Sequence, residues 1–195
     1  GQSLADENPD YAGWLTVEGT SISTPVVSCR QGDSKGFYLN HGFDRTPSFS
    51  GCPYIAEGSS PTSSNMLIYG HNMGIGSLAF SELQNCYRTD CFSSIGTVTF
   101  KDKDGRTSRY TPLYGLKVPM SYDVLLRFDL PGNRISMSGS TRCPTAQVKN
   151  RISAALIPSL HWLLAPPRWV GRNIEAFWFA RISRISNGSV RPELT

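Results

Sequence analysis

The run Asn65-Met-Leu-Ile-Tyr-Gly-His-Asn-Met73 constrains the fold more than any other part of the chain. Its apolar stretch, Met66 to Tyr69, is too short for a buried helix and suits a strand covered on both faces. The stretch gives way to Gly70, His71 and Asn72 and then to a loop opened by Gly74 and Gly76. A strand that breaks at a histidine delivers an imidazole to the rim of a sheet, where binding and catalytic groups gather. His71 is therefore the leading candidate for proton transfer. It is expected at a strand end, on an open groove, within hydrogen-bond reach of a polar partner.

The other apolar runs are equally short. Residues up to Pro9 read as the end of a helix that the proline stops. Trp14 to Val17, Ile22 to Val27 and Tyr54-Ile55 are β-branched or aromatic and bounded by Gly, Ser and Pro, the signature of strands. Leu78 to Leu83, with Tyr87 beyond it, suits a short helix over the sheet. Gly96 to Phe100 and Thr107 to Val118 alternate on either side of the turn Lys101 to Gly105, which is a hairpin pattern. Trp14, Val26, Ile68, Tyr69, Val98 and Leu116 are expected in one core. A chain of 195 residues, 39% hydrophobic and 17% charged, forms one ordinary domain, here residues 1–195. No run of about eighteen apolar residues is present to span a bilayer, and no signal peptide is visible.

The five cysteines, Cys29, Cys52, Cys86, Cys91 and Cys143, are an odd number, so at least one thiol stays unpaired within the chain. They form no Cys-x-x-Cys pair, and His41, His71 and His161 do not cluster with them, so neither a metal nor another cofactor is expected. Cys86 and Cys91 read either as a local disulfide of an exported protein or as small buried apolar residues. The net charge is +4, and no Asp or Glu stands between Leu130 and Ile174, where Arg134, Arg142, Lys149, Arg151, Arg168 and Arg172 fall. These cations read as a basic face for anionic polymers or as a solvated surface. They lack the helical stripe and interleaved aromatics of a nucleic-acid groove, so no nucleic-acid partner is expected.

Four runs precede the histidine: Asn8-Pro-Asp-Tyr-Ala-Gly-Trp-Leu15, Gly19-Thr20, Thr24-Pro-Val-Val27 and Phe37-Tyr-Leu-Asn-His-Gly-Phe-Asp44. Together with the His71 segment they resemble the class B sortases, cysteine transpeptidases of Gram-positive cell surfaces. The resemblance is dense from about Leu4 to Tyr114. It implies a mainly β fold with short covering helices, a closed eight-stranded barrel, and here a C-terminal part that is irregular. It also implies acyl transfer: a cysteine thiolate attacks a threonine carbonyl of a sorting signal, and an amine of peptidoglycan or of a pilin resolves the acyl-enzyme. Such enzymes act on the outer face of the cell membrane and usually carry an N-terminal anchor, absent here, so the resemblance implies a soluble ectodomain or an incomplete record. The relatives commonly favour an Asn-Pro-x-Thr signal.

In the family the cysteine ends one strand and the arginine opens the next, about eight residues on. Cys143 ends Ile135-Ser-Met-Ser-Gly-Ser-Thr-Arg-Cys143, and Arg151 follows at 151 − 143 = 8. His71, Cys143 and Arg151 are thus the candidate catalytic set, in which the arginine faces the oxyanion. Placement by length gives another answer. Ala146 to Leu156 becomes an inserted helix, Leu163-Leu-Ala165 the penultimate strand and Phe177 to Ile185 the last one. Pro166 or Pro167 then stands near the cysteine position and Glu175 near the arginine, leaving a silent peptide-binding module. On either placement residues 131–175 are atypical, with Ala165-Pro-Pro167 pairing poorly where a central strand should run. An acid-free cationic stretch also fits a segment read out of frame in an inactive variant.

Overall fold

The computed structural model describes residues 3–29, 32–33, 36–63, 65–74, 76–119, 147–148, 159–165, 173–186 and 189–192. After a short helix, α1 (Leu4–Glu7), capped by Ser3 and followed by Pro9, the chain is mainly β. The strands are β1 (Tyr11–Val17), β2 (Ser23–Ser28), β3 (Tyr54–Ile55), β4 (Asn65–His71), β5 (Val98–Asp102) and β6 (Thr107–Pro119). They continue with β7 (Gln147–Val148), β8 (Ser159–Ala165), β9 (Asn173–Ser186) and β10 (Ser189–Pro192). These ten strands of the described residues lie in one sheet, in the order β10-β9-β8-β4-β3-β2-β1-β5-β6-β7. The sheet curls so far that β6 also pairs with β9, from Arg109↔Ile182 to Pro119↔Asn173. Pairing therefore runs from β9 through β8, β4, β3, β2, β1, β5 and β6 back to β9, with β7 and β10 outside that circuit.

The expected strands and the hairpin are present, but two details of the hydrophobic phase differ. Leu15, Val17, Val26, Ile68 and Val98 are fully buried in the main core with Phe80, Leu83, Phe92 and Phe100. Trp14 points to the other side of β1 and is half-buried, its indole N–H donating to Ser23 Oγ at 2.9 Å. A ring with one polar edge rests more cheaply where that edge has a partner. Tyr69 also faces outward, into a second apolar layer with Val27, Tyr38, Cys52 and Tyr54, where it stacks on Tyr54 at 5.3 Å. Both faces of β4 are thus covered, which is why its sequence does not alternate. Leu116 lies in β6, and its side chain falls outside the described residues.

The covering helices also differ from expectation. Leu78 to Leu83 contributes only a single 3-10 turn, Ser81–Leu83, while the regular helix α2 spans Thr89–Ser94, where Phe92 is buried. The Cys86–Cys91 disulfide joins these two pieces, which decides between the two readings of those cysteines. Gln147–Val148 is a strand on β6, not part of an inserted helix. In the C-terminal part, expected from the sequence to be irregular, the described residues include regular pairing of β8 with β9 from Ser159↔Ala180 to Leu164↔Glu175, and the stretches between lie outside the described residues. At Ala165-Pro-Pro167, Ala165 pairs with His71 of β4, while Pro166 and Pro167, on which the expectation of poor pairing turns, lie outside the described residues. Phe177 to Ile185 lies within β9, the last strand in sequence of the circuit that closes on β6, with β10 following outside it.

Candidate active site

Gly70 decides how β4 ends. A Cβ placed there would stand 2.4 Å from Phe80 Cδ2 and 2.5 Å from Cε2, and Phe80 is fully buried. Only a hydrogen at this position lets the Phe80 ring plug the core beneath the strand. The connection is then folded back: Phe80 N donates to His71 O at 2.9 Å, Gly74 N to Asn72 Oδ1 at 3.0 Å and Met73 N to Ser81 Oγ at 2.9 Å. His71 consequently sits at the strand end, as expected, but it is only 6% exposed rather than open to a groove. The loop that follows it and the Phe37–Asp44 segment account for the difference.

That segment also supplies the polar partner. His71 Nε2 lies 2.7 Å from the carbonyl oxygen of Leu39, the last residue of the 3-10 turn Phe37–Leu39. A carbonyl only accepts, so the ring proton is on Nε2. Nδ1 is buried and has no hydrogen-bond partner among the described residues. An unsatisfied buried nitrogen costs about 1–3 kcal/mol, which a fold retains more readily where the atom serves a reaction. The imidazole is thus oriented from one side, with its other nitrogen left to accept or give a proton.

The Leu39 turn is itself anchored. Tyr38 is fully buried; its hydroxyl donates to Asp10 Oδ2 at 2.6 Å and accepts from Asn8 Nδ2 at 2.9 Å. Asn8 Nδ2 also reaches Phe43 O at 2.6 Å. Arg45 ion-pairs with Asp10 and, at 2.9 Å, with Asp33, and its guanidinium lies 4.5 Å from the Phe37 ring centre. Two of the runs singled out in the sequence, Asn8 to Leu15 and Phe37 to Asp44, are therefore one interlocked unit that ends on His71. Sequence reasoning assigned no role to Asp10, Tyr38, Leu39 or Arg45. Its only signal was that these residues sit within or next to those runs, because pairing across more than twenty positions leaves no local pattern.

The other two candidates, Cys143 and Arg151, lie outside the described residues. What is described beside His71 is the backbone of β8. The strands β4 and β8 are parallel, with His71 opposite Ala165, and Leu164 in turn opposite Glu175 of β9. The strand next to the histidine strand thus ends in alanine, as in the length-based placement, with Pro166 following. Of the remaining cysteines, Cys86 and Cys91 are tied in the disulfide. Cys52 is buried, which pushes its thiol up to about 12. Cys29 is half-buried and also raised, chiefly by desolvation. Neither thiol is poised to ionise near neutral pH.

Comparison with known proteins places this architecture. No family model matches the chain. Sortase B of Listeria monocytogenes is 27% identical over 117 residues, 59% of this chain and 45% of that protein. The chain thus spans less than half the length of this curated relative. The structure of Clostridium perfringens sortase B superposes with a TM-score of 0.74 at 23% identity, covering 92% of this chain and 98% of the other. A Staphylococcus aureus sortase B–substrate complex gives 0.73 at 16% identity, covering 94% and 84%. This chain is a class B sortase relative. It has the sortase B fold, and over 117 residues its sequence is similar to that of sortase B.

Proposed function

We propose that residues 1–195 form one sortase-type catalytic domain at the outer surface of a Gram-positive cell, acting as a cysteine transpeptidase on sorting-signal peptides. The observation that carries this reading is His71: buried at a strand end, fixed through Nε2 on Leu39 O, with Nδ1 unpartnered among the described residues. In the acyl-forming step a thiolate adds to the threonine carbonyl carbon, the C–S bond forms, and protonated Nδ1 gives its proton to the departing amine as the C–N bond breaks. The incoming amine of peptidoglycan or a pilin then returns a proton to Nδ1 and displaces the thiolate. Cys143 is assigned as the nucleophile because the described cysteines are occupied by a disulfide or held protonated. Arg151 is assigned to the oxyanion. The disulfide supports an exported, oxidising location.

A second reading, a silent module that holds a sorting peptide beside His71, is favoured by the register that puts Ala165 opposite His71. Labelling with a thiol-directed electrophile separates the two. The enzyme reading expects one cysteine, Cys143, to react far faster than the other thiols and to lose that advantage in His71→Ala. Uniform slow labelling, together with peptide binding that survives Cys143→Ala, establishes the silent module.

A further inference from the structure

The interlocked unit beneath His71 contains one position whose geometry has no other evident purpose. Gly51 has φ of 62°, and a Cβ there would lie 2.4 Å from Tyr38 O, 2.8 Å from Leu39 O and 3.0 Å from Leu39 C. These are backbone atoms, so they cannot swing aside as a side chain could. The next residue fastens the same spot, since Cys52 N donates to Tyr38 O at 2.9 Å. The peptide that carries the His71 acceptor is thus pressed from one side by the Gly51 backbone. On the other it is tied through the Tyr38 side chain to Asp10 and Arg45. A carbonyl free to rotate would hold either imidazole nitrogen; one clamped at 2.7 Å from Nε2 selects a single tautomer.

We infer that Gly51 and the Asp10–Tyr38–Arg45 lock are positioning elements that fix the Leu39 carbonyl and thereby keep His71 in the Nε2–H tautomer with Nδ1 bare. The inference rests on the reading of His71 as the proton-transfer group, yet its readout needs no thiol and no turnover. The whole chain is labelled with nitrogen-15 on histidine, and the His71 ring signals are assigned by their loss in His71→Ala. The wild type should show a single protonated Nε2 and a bare Nδ1 in its neutral form. Gly51→Ala, which carries a Cβ into the clamp, should show a mixture of the two tautomers, with His41 signals unchanged. Tyr38→Phe is the gentler variant and reads the lock if Gly51→Ala does not fold. It should leave the tautomer in place but speed solvent exchange of the Nε2 proton by about five- to tenfold, the weight of one weakened hydrogen bond.

The amide spectrum confirms that each variant is folded. Folded variants whose His71 tautomer and exchange match the wild type overturn the inference. If the wild-type chain transfers no acyl group, the transpeptidase reading fails, while the tautomer comparison still decides the role of the clamp.

Discussion

Replacing Tyr38 by Phe removes one hydroxyl from a buried network, and its effect on stability can be worked out at two pH values. The hydroxyl is fully buried, donates to the Asp10 carboxylate at 2.6 Å and accepts from Asn8 at 2.9 Å. Asn8 keeps its second acceptor, Phe43 O, and Arg45, which also donates to the hydroxyl at 3.2 Å, keeps Asp10 and Asp33, so the main loss is the short hydrogen bond to the Asp10 carboxylate. Near neutral pH this costs about 2 kcal/mol. Burial first, and the Asp10 hydrogen bond second, push the phenol from 10.0 to about 12. A pKa raised on folding means the protonated form is the one the fold favours. The associated stability is complete below the unfolded value and is lost as pH rises through the folded one. At about pH 11 the wild type should have lost about 1.4 kcal/mol from this residue alone, and the variant none of it. Urea denaturation of both proteins at about pH 8 and about pH 11 isolates the effect, because every other ionising group is common to the pair. The wild-type advantage should narrow from about 2 kcal/mol to well under 1. An advantage that stays constant with pH would refute the account of Tyr38.

Gly70→Ala forces the Phe80 ring off the strand and should cost about 1–3 kcal/mol in a denaturant titration, whereas a cost near zero would show that the ring does not pack as described. Reducing the Cys86–Cys91 bridge, which spans a sequence separation of 5, should lower stability by about 2 kcal/mol, read as a shift of the urea midpoint with dithiothreitol. Cys52 in the native chain should be alkylated roughly a thousandfold more slowly than an exposed thiol and should become ordinary in urea, and fast native labelling would contradict its burial. Arg45→Met, which keeps the stem over Phe37 but removes the ion pairs with Asp10 and Asp33, should cost about 1–3 kcal/mol, and a neutral result would mean these pairs do not hold the Phe37–Asp44 segment.

Most of the β architecture was readable from the order of residues, because a strand covered on both faces, a hairpin and a proline-stopped helix each leave a local trace. Met66 to Tyr69 gave way to Gly70 and His71 in the sequence just as β4 ends in the structure. Where the phase was misread, at Trp14 and Tyr69, the cause was an apolar ring with a polar edge, which pattern alone assigns to the core. The helix α2 was missed because six residues carrying Thr, Asp and two Ser show too little periodicity to register.

The sequence by itself determined that this chain builds short strands around a histidine and that its motifs are those of a sortase relative. Only the tertiary structure decided which tautomer that histidine holds, that Asp10, Tyr38 and Arg45 stand behind it, and that Ala165 lies opposite it on β8. Strand-forming residues announce themselves through their neighbours along the chain. The partners of His71 come from positions 10 to 165, and contacts between such distant segments arise only once the sheet has curled and brought its strand ends together.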